Sequence, residues 1–130
     1  MKDLDSRRIR PPSRLRPMNL GDISAVVAIE NQSFSLPWSR ESFRREIERI
    51  PNSRLIVAEG DGGEEKGGNQ SILGYACWWE VADECHITNI AVRPTARRRG
   101  VGVLLLEGIL DAAKRAGLVR ATLEVRTGKT

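Results

Sequence analysis

The sequence has one histidine, two cysteines and one tyrosine in 130 residues, and only 5% of it is aromatic. So few soft ligands leave no room for a typical structural zinc site, which needs four Cys or His side chains. Cys77 and Cys85 alone do not make a disulfide framework, and reduced, buried thiols are the expectation for them. No apolar run approaches the length needed to cross a bilayer. The opening stretch, MKDLDSRRIRPPSR, lacks the apolar core of a secretory signal, so a cytoplasmic location without membrane contact is expected.

What is present fits one ordinary globular domain: 40% hydrophobic and 29% charged residues in a length that builds a single core. The net charge of +4 is local. The first sixteen residues carry six basic and two acidic side chains, and the remainder is balanced. Residues 1–12, ending in Pro11-Pro12, are expected to be a disordered basic arm, with the domain occupying 13–130. Such an arm can touch nucleic acid or ribosome loosely, and it also serves as a solvated, solubilising tail.

Arg14 to Pro17 reads as a short strand. Asn19 to Asp22 offers capping residues before a helix whose periodic positions are Ile23, Val26, Val27 and Ile29 to Glu30. SLPWS breaks that helix, and Ser39 caps a second from Arg40 to Ile50. RLIVAEG is a strand, DGGEEKGGNQS a glycine-rich loop, and ILGYACWWEVA and ECHITNIAV are strands completing an antiparallel meander. Trp78 and Trp79 point to opposite faces of one strand, so at least one is core. Phe34, Leu36 and Trp38 are expected to pack the helix junction. A third helix is expected from Arg98 to Ala116, with Val103, Leu106, Leu110 and Ala113 as its core stripe, widened by Leu105 and Ile109. Gly117 is placed to end it. LVRATLEVR follows as a strand, and the strand–helix–strand order implies a right-handed crossover and a parallel pair. The fold class is α/β in the α+β sense: a mixed, mostly antiparallel sheet with flanking helices.

RPTARRRGVGVLLL, residues 93–106, carries the chemistry. A helix start presents unpaired N–H groups and a positive dipole end. Gly100 and Gly102 let a phosphate approach that backbone, and Arg97, Arg98 and Arg99 add charge. The result is an anion cradle, suited to a pyrophosphate better than to a DNA groove, because no aromatic residues are interleaved for base stacking. Two other phosphate motifs fail on spacing. A Walker loop ending in Gly128-Lys129-Thr130 would need glycine where Leu123 stands, and a dinucleotide fingerprint would need it at Leu105.

Arg97 to Gly102 resembles the R/Q-x-x-G-x-G/A loop of the GNAT acetyltransferases, and ITNIAV (87–92) looks like that superfamily's fourth strand. SFSLPWS (33–39), DECHITNIAV (83–92) and LEVR (123–126) together are similar to the ribosomal-protein-alanine N-acetyltransferases. The resemblance covers residues 14–126. It implies a GNAT fold and transfer of acetyl from acetyl-CoA to a protein N-terminal α-amine, that of a ribosomal protein's alanine, by direct attack in a ternary complex. It implies that the amides of Arg97, Arg98, Arg99, Gly100, Val101 and Gly102 hold the pyrophosphate, and that the backbone at Ile90, Ala91 and Val92 binds the pantetheine arm and polarises the thioester carbonyl. It also places the Phe34–Trp38 segment on the acceptor-peptide side.

The family's general base falls on Glu124. An α-amine with a pKa near ~8 is largely protonated at neutral pH, so a base is required. Glu84 and His86 share one strand face by alternation and are alternatives. The family continues past LEVR with an asparagine, a helix, a tyrosine that protonates the thiolate, and two strands. The domain is therefore expected to be C-terminally incomplete. Alternative functions are a non-catalytic acyl-CoA-binding module, a nucleic-acid or ribosome-binding domain, and a small-molecule amine acetyltransferase.

Overall fold

The computed structural model describes residues 14–60 and 71–123. The expected basic arm at 1–12, the glycine-rich loop at 61–70 and Glu124 lie outside the described residues. Strand β1 is Arg14–Pro17, helix α1 Ile23–Ser33, helix α2 Arg40–Glu48, and strands β2, β3 and β4 are Ser53–Glu59, Ile72–Val81 and Glu84–Val92. Helix α3, Val101–Arg115, leads into β5, Arg120–Leu123. The strands form one sheet in the order β1-β2-β3-β4-β5. The first four are antiparallel and β4–β5 is parallel, so the parallel pair expected from the sequence is present.

Local chemistry sets the boundaries. Asn19 caps a short 3-10 turn, Leu20–Asp22, by accepting from the Gly21 N–H, while Asp22 reaches back to the Asn19 N–H at 2.9 Å. Ser39 caps α2 by accepting from the Ser42 N–H. That helix ends at Glu48, two residues short of Ile50, ahead of Pro51. Gly117 is left-handed (φ 81°) at the end of α3, the C-terminal cap expected for it.

Each sheet face buries its own core. Val26, Ile29, Phe43, Val57, Tyr75 and Cys77 lie under α1 and α2, where the Phe43 and Tyr75 rings meet edge-on, 5.8 Å between centroids. Ala76, Trp78, Cys85 and Ile87 pack against α3. Trp79, on the other face, donates from Nε1 to the buried Glu46 carboxylate at 2.8 Å.

The helix stripe expected for α3 requires correction. Val101, Leu105, Ile109 and Ala113 are buried, whereas Val103, Leu106 and Leu110 are 57%, 42% and 46% exposed. Apolar residues surround this helix on more than one side, so periodicity alone did not fix which side faces the sheet. Leu36 is also corrected: it is 84% exposed, while Phe34 and Trp38 pack against the core.

Candidate active site

Strand β4 delivers the chain to the cradle through a loop held by arginine. The Arg93 N–H donates to the Leu73 carbonyl at 2.7 Å, and its guanidinium donates to the Ile72 carbonyl, tying the strand exit to β3. Pro94 opens a single 3-10 turn, Pro94–Ala96, that buries Ala96. Arg97 Nε donates to the Val92 carbonyl at 3.0 Å, so its side chain closes the loop, and Arg98 and Arg99 are left exposed.

The loop does not begin as helix. Arg98 has φ 66° and Gly100 φ 83°, both left-handed, so α3 starts at Val101 instead of the expected Arg98. A left-handed residue followed by a right-handed one turns successive N–H groups into one concavity, an anion nest. The Leu104 N–H, bonded to the Gly100 carbonyl, is the first to find a helical acceptor, which leaves those of Val101, Gly102 and Val103 at the positive end of the helix. The space is open as well: a β-carbon on Gly102 would meet only Val92 Cγ2, at 3.8 Å. The loop Arg97–Gly102 thus follows the strand end Ile90–Val92 with a single 3-10 turn between them.

Strand β4 pairs with β3 along its whole length, but with β5 only from Glu84 to Ile87. From Thr88 to Val92 its outer edge has no strand partner among the described residues. Unpaired peptide groups on such an edge can hydrogen-bond an extended, amide-bearing ligand.

A bulge lies at the start of this free edge. Cys77 pairs with Asn89 and Trp78 with Ile87, so Thr88 is the extra residue, and its hydroxyl donates to the Cys77 carbonyl at 3.2 Å. The bulge reverses the faces. Cys85 and Ile87 point to α3, after which Asn89 and Ala91 point to α1, while Ile90 and Val92 turn to α3. The sequence contains the signal: apolar residues at 85, 87, 90 and 92 make one step of three in a period of two.

Glu84 and His86 share a face as expected, Glu84 Oε1 lying 2.8 Å from His86 Nε2. Glu84 Oε2 also lies 3.6 Å from Arg120 Nε. Glu84 lies six positions before Ile90, about 20 Å of extended strand, and His86 four positions before it, about 13 Å. Leu123, the last described residue before Glu124, pairs with Ile87 beside the bulge. Sequence reasoning missed Glu30, a fully buried carboxylate behind β4. Its signal was a charge four residues after Val26, within the buried stripe of α1.

The acetyltransferase (GNAT) family model matches residues 23–130. The chain is 34% identical over 118 residues to a Bacillus subtilis (strain 168) protein named for alanine N-acetylation of ribosomal protein bS18, covering 91% of this chain and 73% of that one. It is 33% identical over 106 residues to the ribosomal protein bS18-alanine N-acetyltransferase of Salmonella typhimurium, covering 81% of this chain and 64% of that one, just under two thirds of its length. The crystal structure of the Escherichia coli ribosomal-protein-S18-alanine N-acetyltransferase superposes with a TM-score of 0.71 at 26% identity, over 88% of this chain and 67% of the other.

Proposed function

This chain belongs to the GNAT family of acetyl-CoA-dependent N-acetyltransferases, and we propose that its acceptor is the N-terminal α-amine of a protein, an alanine of a ribosomal protein of the S18 kind. The observation that carries this reading is the junction of the β4 edge at Thr88–Val92, which has no strand partner among the described residues, with the left-handed loop at Arg98 and Gly100. The names of the relatives favour the acceptor.

In this reading acetyl-CoA lays its pyrophosphate on the amides of the Arg97–Gly102 cradle and its pantetheine arm along Ile90, Ala91 and Val92. A β4 N–H near the bulge donates to the thioester carbonyl and stabilises the oxyanion that forms as the amine attacks. The nitrogen bonds to the carbonyl carbon, the carbon–sulfur bond breaks, CoA leaves as thiolate, and the amine proton passes to a base. We assign that base to Glu124, because Glu84 stands about 20 Å along the strand from Ile90. The cytoplasm, where ribosomal proteins are made, is the compartment this function requires.

The test is mass spectrometry of an alanine-initiated ribosomal-type peptide incubated with acetyl-CoA and this chain, beside a peptide whose only amine is a lysine. Acetylation of the α-amine alone supports the reading. Equal acetylation of lysine or of free small amines overturns the acceptor. Saturable acetyl-CoA binding without transfer makes the chain a binding module.

A further inference from the structure

Glu30 is fully buried, and a buried carboxylate is unfavourable unless its oxygens accept hydrogen bonds. Three neutral donors converge on it from three parts of the fold. Tyr75 on β3 donates its hydroxyl to Oε1, Asn89 on β4 donates Nδ2 to the same oxygen at 3.3 Å, and the Trp38 N–H, between α1 and α2, donates to Oε2 at 2.9 Å.

The position of Asn89 gives the cluster its meaning. Asn89 is the first residue after the Thr88 bulge and the last before Ile90, where the stretch proposed for the pantetheine arm begins. Turning its amide group toward Glu30 leaves its own Oδ1 buried with no hydrogen-bond partner. An orphaned buried acceptor is costly, and the Glu30 contact is what the fold gains in return.

Resting on the acetyl-transfer reading above, we propose that Glu30 is a positioning residue. Its carboxylate holds Asn89 and Tyr75 together immediately after the bulge and fixes the direction in which the outer edge of β4 presents its N–H groups to the thioester. Glu46 offers an internal comparison. It is also a buried carboxylate with two donors, the Ser53 hydroxyl at 2.6 Å and Trp79 Nε1 at 2.8 Å, but neither donor is on β4.

The experiment compares Glu30→Gln, Tyr75→Phe and Glu46→Gln with the parent chain. Glu30→Gln keeps the size but presents one acceptor oxygen where three donors meet. Tyr75→Phe removes one donor only, and remains informative if Glu30→Gln does not fold. Amide hydrogen exchange over residues 86–92 and 101–115 is measured in each variant, together with kcat and the KM for acetyl-CoA. Glu30→Gln and Tyr75→Phe are expected to speed exchange over 86–92, leave 101–115 unchanged, and lower kcat roughly 10- to 100-fold, because small misplacements of an oriented group cost that much. The KM for acetyl-CoA should change less than kcat, since the pyrophosphate loop is untouched. Glu46→Gln should change neither 86–92 exchange nor kcat.

Folded Glu30→Gln and Tyr75→Phe variants with parental exchange over 86–92 overturn the proposal, and so does a Glu46→Gln variant that reproduces their effects. If the parent chain acetylates no amine, the functional reading fails. The exchange comparison then still decides whether Glu30 holds β4.

Discussion

Gly74 and Ala91 lie so close across the β3–β4 ladder that a β-carbon on Gly74 would stand 2.7 Å from the Ala91 carbonyl oxygen, with Val92 Cα at 3.3 Å. The obstacle is backbone, which cannot rotate aside as a side chain does. Gly74→Ala should therefore push the end of β4 outward, destabilise the chain by about 1–3 kcal/mol in a denaturant titration, and weaken acetyl-CoA binding. Gly102→Ala is the contrast, because its β-carbon meets only Val92 Cγ2 at 3.8 Å. It should leave stability unchanged or raised.

Gly100 holds φ 83° at the start of α3, a conformation in which a β-branched residue is strained. Gly100→Val should cost about 1–2 kcal/mol of loop geometry, which is close to tenfold in affinity. Calorimetric titration with acetyl-CoA measures it. Unchanged affinity would remove the cradle from this loop.

Ala82 turns the β3–β4 hairpin with φ 55°, a cost that glycine avoids. Ala82→Gly should raise stability by about 0.5–1 kcal/mol, read as a shift in the denaturant midpoint with an unchanged slope.

Arg16 bridges Asp22 at 2.8 Å and Glu59 at 3.1 Å, joining β1 to the Leu20–Asp22 turn and to β2. Burial works to raise the Asp22 carboxyl, but the hydrogen bonds from Arg16 and the Asn19 N–H and the charge of Arg16 prevail and hold it below the usual carboxylate range. Glu59 is held low chiefly by its hydrogen bond to Arg16, with burial opposing and Arg14 assisting. Both groups bind protons more weakly folded than unfolded. Their contribution is thus present above about pH 4 and is lost as pH falls through the depressed folded values. Between pH 7 and 3, Arg16→Gln should flatten the acid limb of the stability curve. A parallel, merely lowered curve would show that these pairs do not set the acid response.

Cys77 and Cys85 are fully buried thiols, and burial pushes the Cys85 thiol up, with the charge of Glu80 adding to the effect. Neither should react with a thiol reagent at neutral pH until the chain unfolds, when two equivalents appear. Rapid labelling of the native chain would contradict that burial.

Much of this molecule was legible without coordinates because its elements are punctuated by local chemistry. Asn19, Ser39, Pro51 and Gly117 act on their immediate neighbours, so the helices they bound could be read from short windows. The alternation of β4 was legible up to Thr88, where the bulge breaks it. The loop proposed as an anion cradle was legible for the same reason: its glycines, its arginines and the helix start are consecutive in the chain.

Packing decided the rest. Val101, Leu105, Ile109 and Ala113 face the sheet while Leu106 and Leu110 face outward, because α3 is apolar on more than one side and the sheet selects among them. The bulge at Thr88 turns Ile90 and Val92 to the opposite face from the one alternation gives. Glu30 shows the difference most plainly. In the sequence it is one acidic residue in a helix. In the fold, donors 8, 45 and 59 residues away converge on its carboxylate. Local spacing determined which segments form helix, strand and the left-handed loop between β4 and α3, since those depend on hydrogen bonds and sterics within a few residues. Tertiary structure alone decided which side of each element is buried and which polar groups meet there, since both depend on contacts between residues far apart in the chain.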